Sequence, residues 1–218
     1  MTINASSQGE FQLGYGGYSC KWGIHLAGLY ETETERDEII FGFLKEGMRN
    51  KDLSFYCPVE RTADDFIDKF SQFCPETAGL LEDEGVFQLF SPKKLDYPGG
   101  IFSPLNMIEN LNRFFDDCTE KYGKNIRATA EMTWALEAIP GREHLFAYEA
   151  ALNNFIQGKR WASICLYNIT KFDGDTLLDV LRTHPYTLNK GVMMENPYYQ
   201  DPNIWLMNNA PQFQALQG

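Results

Sequence analysis

The side chains that could bind a metal or act as nucleophiles are three histidines and five cysteines. His25, His144 and His184 lack a second ligand at a metal-binding spacing, and no Cys-x-x-Cys pair occurs. Cys20 lies five residues before His25, so a Cys–His metal site stays open, although a hydrogen-bonded structural histidine is the favoured interpretation. His184 precedes a proline and is expected to close a helix end, where a cationic side chain suits the helix dipole. We therefore predict neither a metal nor a cofactor.

Covalent and acid–base catalysis have little support in the sequence. There is no Gly-x-Ser-x-Gly elbow, and the apolar neighbours of Cys165 indicate a core thiol unless a histidine approaches it. Glu31, Glu131 and Glu149 could act as acids or bases, but carboxylates are abundant throughout this chain. We predict that the protein is not an enzyme, and an enzyme that uses Glu31 or Cys165 is the weaker alternative.

One junction in the chain resembles the entrance of a nucleotide-binding domain. Residues 24–30 form a predicted buried strand, and Thr32 with Glu35 provides a capping box for the helix that follows. Nucleotide-binding α/β proteins place a glycine-rich phosphate loop at such a junction. Here Glu31 and Glu33 would repel a phosphate, and no Gly-Lys-Ser/Thr occurs in the chain. The sequence thus predicts the frame of a nucleotide-binding domain without its phosphate site.

Predicted strands and helices alternate five times, which indicates an α/β three-layer sandwich. We expect a mostly parallel central sheet of five or more strands with helices on both faces. Residues 1–21 are expected to be a loose glycine-rich arm, and the chain beyond residue 195 to be irregular. The predicted strands are 24–30, 53–57, 86–90, 126–133 and 161–167, with two short ones at 186–188 and 192–194. The predicted organisation is an arm over 1–21, one domain over 22–205, and a tail over 206–218.

Several motifs resemble, in order, those of the DcmR-type sensory domain of methanogen and methylotroph proteins, the MEDS family. This resemblance implies a RecA- or KaiC-like core that has lost its ATPase loop, and recognition of small hydrocarbon derivatives such as C1 compounds. The chain departs from the family at Leu95-Asp96-Tyr97, where a Trp-Tyr pair is common. The motifs are Trp22-Gly23-x-His25, Tyr30-Glu31-Thr32, Leu44-x-x-Gly47-Met48-x-Asn50, Arg127-x-x-x-Glu131-Met132-x-Trp134, Glu149, Cys165-x-Tyr167-Asn168, His184-Pro185 and Asn196-Pro197-Tyr198-Tyr199.

The predicted ligand site lies beyond the carboxyl ends of the strands, where open α/β sheets bind their ligands. Aromatic walls with a few polar groups suit a small, mostly apolar ligand, and the alternative is that these aromatics only fill the core. Arg127 and Glu131 share one face of a strand and could form a buried ion pair or hold a ligand. The candidate ligand-binding residues are Trp22, His25, Tyr30, Glu31, Tyr97, Glu131, Trp134 and Tyr167.

The formal net charge of −11 disfavours direct binding to nucleic acids or to anionic membranes. No apolar run is long enough to span a membrane and no signal peptide is recognisable, so we expect a cytoplasmic protein. Residues 1–21 are too short for a DNA-binding segment, and output is therefore expected through a regulatory protein such as a histidine kinase or transcription factor, or through a homodimer. The alternative function is a ligand-free, degenerate ATPase-like scaffold or adaptor.

Overall fold

A seven-stranded sheet forms the centre of the molecule in a computed structural model, which describes residues 9–216. The strand order is β5-β4-β6-β7-β3-β8-β9, and every neighbouring pair is parallel except β8 and β9. The sheet strands are β3 (Ile24–Tyr30), β4 (Leu53–Cys57), β5 (Phe87–Leu89), β6 (Ile126–Glu131), β7 (Trp161–Asn168), β8 (Tyr186–Asn189) and β9 (Val192–Glu195); β1 (Glu10–Gln12) and β2 (Ser19–Lys21) form a separate pair. The predicted fold class is confirmed.

Helices cover both faces of the sheet. Helices α1 and α2 pack with one apolar cluster, and α4, α5 and α6 pack with a second cluster on the opposite face. The helices are α1 (Glu33–Asn50), α2 (Ala63–Phe73), α3 (Pro92–Leu95), α4 (Pro104–Tyr122), α5 (Leu145–Ile156), α6 (Gly174–Thr183) and α7 (Pro202–Asn209), with 3₁₀ segments at Pro75–Glu82, Pro98–Gly100, Met132–Leu136, Arg142–His144 and Pro211–Leu216. Strands β4 and β7 are buried along their whole length, as a parallel sheet between two helical layers requires.

Residues 9–21 do not form the predicted loose arm. They form an antiparallel pair, β1 with β2, which we call the N-terminal hairpin. Its side chains Phe11, Leu13 and Cys20 are buried in the core cluster under α1. Gly14 has a φ of 84° and its carbonyl lies so close to Gly42 of α1 that a Cβ at Gly42 would overlap it. Glycine is required here for close packing between two backbones. Residues 1–8 of the predicted arm lie outside the described residues.

The chain beyond β9 is also more regular than its composition predicts. Asp201 caps α7 by accepting hydrogen bonds from the amides of Asn203 and Ile204, and Pro202 occupies the first helical position. Both are ordinary helix-start signals. Trp205 and Leu206 pack against α5, which explains why this polar segment folds. Residues 217–218 of the predicted tail lie outside the described residues.

Within residues 9–216, no helix combines the length and apolarity that crossing a membrane requires.

Candidate functional site

The position of a phosphate loop is occupied by a side chain of the protein itself. The Glu35 carboxylate accepts hydrogen bonds from the backbone amides of Glu31, at 2.7 Å, and Thr32, at 3.4 Å. Thr32 in turn accepts from the Glu35 amide, which completes the predicted capping box. Amides at a helix start are the groups that bind phosphate in nucleotide-binding folds. Here a carboxylate already fills that role, and the acidic Glu33 stands beside it.

Glu131, at the end of β6, is a buried anchor for the segment after β4. Its carboxylate accepts hydrogen bonds from the amides of Val59, at 2.7 Å, and Glu60, at 2.5 Å, and from the Tyr56 hydroxyl. The Arg36 guanidinium lies 3.4 Å away. A fully buried carboxylate with these partners is held in place by charge-assisted hydrogen bonds.

Arg127 and Glu131, which could have formed a buried ion pair, take separate partners. The Arg127 Nε donates to Asp52, at 2.9 Å, and its guanidinium lies over the rings of Phe11 and Phe43. Four residues of extended strand span roughly 13 Å, so two side chains on one face can still take separate partners. Each charge is balanced by its own neighbour at its own end of the strand.

Three of the predicted ligand-binding residues lie near the carboxyl ends of the strands without converging on one point. The rings of Tyr97 and Trp134 pack at 5.5 Å, on the face of the sheet that α4 and α5 cover. The Tyr30 hydroxyl donates to Glu60, at 3.0 Å, and its ring belongs to the cluster on the opposite face. The sheet therefore separates Tyr30 from the other two side chains.

Two further predicted residues lie away from this edge or on the surface. Trp22 precedes β3 at the amino end of the sheet, where it stacks on Phe11 with ring centroids 4.3 Å apart. Glu31 is exposed and pairs with Lys190 at 3.1 Å. Glu31 therefore has no buried partner among residues 9–216 that would suit it to acid–base chemistry.

The two remaining predicted residues, His25 and Tyr167, meet a carboxylate inside the protein. Glu149 of α5 is buried, and its Oε1 accepts a hydrogen bond from the Tyr167 hydroxyl at 2.7 Å. Its Oε2 lies 3.2 Å from His25 Nε2, 3.5 Å from His184 Nε2 and 3.5 Å from Cys165 Sγ. His25 Nε2 is also 3.4 Å from Cys165 Sγ. We call His25, Glu149, Cys165 and His184 the polar cluster.

A second layer of hydrogen bonds fixes both histidine rings. His184 Nδ1 is 2.8 Å from the Val180 carbonyl, so that nitrogen carries the proton and closes α6. His25 Nδ1 faces the Asn153 side-chain oxygen at 3.3 Å, and the Asn153 amide nitrogen donates to backbone carbonyls, one of them that of Thr183 at 2.8 Å. Each ring therefore directs Nε2 into the cluster.

Burial sets the protonation of the polar cluster. It lowers the pKa of His184 to about 3, so this residue closes its helix as a neutral ring and not as the predicted cation. Burial opposes ionisation of Glu149, but hydrogen bonds to the carboxylate, among them that from the Tyr167 hydroxyl, outweigh it and hold the pKa of that carboxyl below its usual range. Burial and the Glu149 charge raise the pKa of Cys165 well above its ordinary value. A histidine does approach Cys165, yet the thiol stays protonated and is a poor nucleophile.

A small cavity of about 30 Å³ lies beside the polar cluster, between the sheet and the helices α4 and α5. Cys165 and Tyr148 line its wall on that side, and Leu95, Met107 and other apolar side chains line much of the remainder. The volume exceeds the roughly 10–15 Å³ that one water requires and is far below the ~150 Å³ that holds benzene. The cavity suits a group of a few atoms.

Two polar side chains give this cavity directional chemistry. Asp96 is buried in its wall, and burial raises the pKa of that carboxyl to about 8, so it is protonated at neutral pH and can donate a hydrogen bond. The Ser163 hydroxyl also lines the cavity and accepts a hydrogen bond from Trp161 Nε1 at 2.7 Å, so its own proton can be donated to a bound group. A bound acceptor would therefore meet two hydrogen-bond donors in a largely apolar cavity.

Sequence reasoning did not assign Asp96, Ser163 or His184 to a site, and it considered Cys165 only as a possible nucleophile. Asp96 follows α3, and its burial results only from the packing of this segment against β4 and β6. Glu149 was considered only as an acid–base candidate. The motifs Cys165-x-Tyr167-Asn168 and His184-Pro185 were available as signals, but no spacing along the chain links them to His25, because the cluster joins separate elements.

Comparisons with known proteins show the family and the fold of this chain. The chain is 22% identical over 165 residues to the transcriptional repressor DcmR of Methylorubrum extorquens, a match that covers 75% of this chain and 58% of the repressor. The chain thus accounts for little more than half the length of that relative. A KaiC-like protein from Pyrococcus horikoshii OT3 shares the fold, with a TM-score of 0.52 and 13% identity over 72% of this chain and 69% of that one. Because the sequence pattern of the MEthanogen/methylotroph, DcmR Sensory domain matches residues 24–185, the chain belongs to the MEDS family.

Proposed function

We propose that this chain is a non-catalytic sensing module of a signalling or transcription-regulatory system that binds a small, mostly apolar molecule such as a one-carbon hydrocarbon derivative. Membership of a sensory family and similarity to a transcriptional repressor support a regulatory role. The observation that carries the proposal is the cavity beside Cys165, with its apolar walls and two polar groups. A cytoplasmic location is part of the proposal.

The size and lining of the cavity match such a ligand. Its volume of about 30 Å³ leaves room for few heavy atoms unless neighbouring side chains shift. Apolar walls favour an apolar body, while the protonated Asp96 and the Ser163 hydroxyl can each donate a hydrogen bond to the ligand. A small pocket with few polar groups is the usual design of a ligand site.

The predicted residues at the strand ends fit this proposal as an entrance. Tyr97 directly follows Asp96, and Trp134 lies two residues after Met132, which also lines the cavity. We propose that the packed Tyr97–Trp134 pair closes the carboxyl-end side of the cavity, so that a ligand displaces these rings on entry. Movement of aromatic side chains would then transmit occupancy to the surface.

Nuclear magnetic resonance of the ¹⁵N-labelled chain tests ligand binding directly. Dichloromethane, methanol and ethanol are the probes, and we expect one of them to give saturable amide shifts centred on residues 95–96 and 128–132. Ser163→Ala removes the hydroxyl from the cavity wall and should weaken a polar probe about fivefold or more. Ser54→Ala is the matched control, because Ser54 is a buried strand serine outside the cavity. The absence of saturable shifts with all three probes at millimolar concentration would refute the proposal.

Output through a partner protein is supported by apolar side chains that the fold leaves exposed. Ile204 and Met207 lie three residues apart on α7 and are 52% and 57% exposed. Residues three apart on a helix share one face, so they can form part of a contact surface. The same observation favours the second candidate function, an adaptor that acts by protein contact without a ligand. The ligand titration separates the two functions, because an adaptor predicts no saturable shift.

A further inference from the structure

We infer that His25, Glu149, Cys165 and His184 form a buried four-ligand site for a divalent transition metal, with zinc as the expected ion. The inference does not depend on ligand sensing, because it concerns four side chains packed behind the wall of the cavity. Their four candidate donor atoms all lie within 4.8 Å of one another, and all four side chains are buried.

The donor spacing matches tetrahedral coordination. Zinc bonds of about 2.0–2.3 Å at the tetrahedral angle place neighbouring donor atoms about 3.3–3.6 Å apart. The four measured separations are 3.2 Å and 3.5 Å from Glu149 Oε2 to the two histidines, 3.5 Å from Glu149 Oε2 to Cys165, and 3.4 Å from His25 to Cys165. Four of the six donor–donor distances are therefore already close to those of a tetrahedral site. The other two separations, both of which involve His184, are at most 4.8 Å.

The polar cluster contains fewer protons than its acceptor atoms need for hydrogen bonding. Because Val180 and Asn153 each present an acceptor to one histidine Nδ1, that nitrogen holds the ring proton and Nε2 bears a lone pair. His184 Nε2 faces the Glu149 carboxylate and has no hydrogen-bond partner within residues 9–216. One thiol proton from Cys165 is left for two imidazole nitrogens and a carboxylate oxygen. A cation at the centre would satisfy all of them at once.

Charge balance favours a divalent ion. Metal binding removes the Cys165 thiol proton and leaves a thiolate. Two neutral histidines, one thiolate and one carboxylate then carry a total charge of −2, which neutralises a 2+ ion. A neutral assembly is the form that a fully buried site tolerates. Imidazole and thiolate donors select zinc and related transition metals over magnesium or calcium.

The surroundings of the four side chains provide the second layer that metal sites require. Both histidines are held through Nδ1, and the Tyr167 hydroxyl binds Glu149 Oε1, which leaves Oε2 directed at the centre. Four protein ligands leave no position for water, and such closed sites are structural. The ligands come from β3, α5, β7 and the end of α6, so a bound ion would tie these four elements together.

The test uses the full chain without a histidine tag, produced in minimal medium supplemented with zinc or cobalt. Elemental analysis by mass spectrometry should find one metal per chain. The cobalt form should show the strong visible bands of tetrahedral Co²⁺ and a near-ultraviolet thiolate-to-cobalt charge-transfer band. In Cys165→Ser the charge-transfer band should disappear. Cys57→Ser should keep it, because Cys57 is a buried strand cysteine that donates to Asp96 outside the cluster.

Circular dichroism and thermal unfolding establish that each variant is folded. If Cys165→Ser fails to fold, the comparison is made on the wild-type chain, whose unfolding temperature should fall when zinc is withheld during production. Less than about one tenth of a metal per chain after production in zinc or cobalt overturns the inference. A charge-transfer band that survives in folded Cys165→Ser also overturns it. Metal content is measured without any of the three probes, so its outcome is independent of ligand sensing.

Discussion

Replacing Glu131 by glutamine removes the negative charge from a carboxylate that holds three hydrogen-bond donors and one guanidinium. Glutamine has the same shape but only one acceptor oxygen. The amides of Val59 and Glu60 both use Oε2, whereas Tyr56 and Arg36 use Oε1. Whichever way the glutamine amide turns, its NH₂ group faces donors that had an acceptor before.

The buried Arg36 sets the size of the effect. Its side chain is fully buried, and its Nη1 and Nη2 have no hydrogen-bond partner within residues 9–216. Leaving one partner of a buried ion pair uncompensated costs about 3–5 kcal/mol. Glutamine keeps one acceptor, and Arg36 keeps the carboxylates of Asp37 at 3.3 Å and Glu60 at 3.8 Å. We therefore expect a loss below that range, about 2 kcal/mol of unfolding free energy. For a domain of this size such a loss lowers the unfolding temperature by roughly 4–8 °C.

Urea and thermal unfolding followed by circular dichroism measure this loss. Glu137→Gln is the matched control, because Glu137 is an exposed glutamate a few residues along the chain and should change stability by less than about 0.5 kcal/mol. Adding Arg36→Met to Glu131→Gln removes both charges and should restore part of the lost stability. A loss below about 1 kcal/mol in Glu131→Gln would refute the assignment of Glu131 as a structural anchor.

Nucleotide binding, pH-dependent stability and the packing of the N-terminal hairpin each allow a further test. Calorimetry and phosphate-release assays should show neither tight MgATP binding nor turnover, because a carboxylate occupies the phosphate position; tight binding with turnover would contradict this interpretation. The folded pKa of Asp96, about 8, lies above its unfolded value, so its stabilisation is present at low pH and is lost as pH rises from about 4 to about 8. Asp96→Asn should remove this part of the pH dependence in urea titrations, whereas the exposed Asp175→Asn should follow the wild type. Gly42→Ala should push the Gly14 backbone away and expose the N-terminal hairpin to limited proteolysis, whereas Gly79→Ala, with open space around it, should not.

Much of the fold could be predicted because its signals are local. Buried strands, the Thr32–Glu35 capping box, and the Ser103 and Gly123 ends of α4 are each encoded within a few residues. The N-terminal hairpin could not be predicted, since its glycines indicate flexibility until the contact between Gly14 and Gly42 is known. A glycine-rich composition is compatible with both a loose arm and a close backbone contact.

The candidate site was less predictable than the fold. The rule that ligands lie at strand ends predicts that Tyr97 and Trp134 lie near the carboxyl ends of the strands, and the two rings pack together at that edge. It gave no indication that Glu149 and His184 would meet His25 beneath α5. The sequence also provided no indication that Arg127 and Glu131 take separate partners, because Asp52 and Arg36 come from other parts of the chain.

The sequence by itself determined that this chain is an acidic α/β domain whose first strand–helix junction carries carboxylates where nucleotide-binding folds carry a phosphate loop. Periodicity, capping residues and the charge of one strand–helix junction are sufficient for that conclusion, because each acts over a few neighbouring residues. Only the tertiary structure brought His25, Glu149, Cys165 and His184 within hydrogen-bond distance of a common carboxylate oxygen. Contacts between residues more than a hundred positions apart depend on strand order and helix packing, and no spacing along the chain records them.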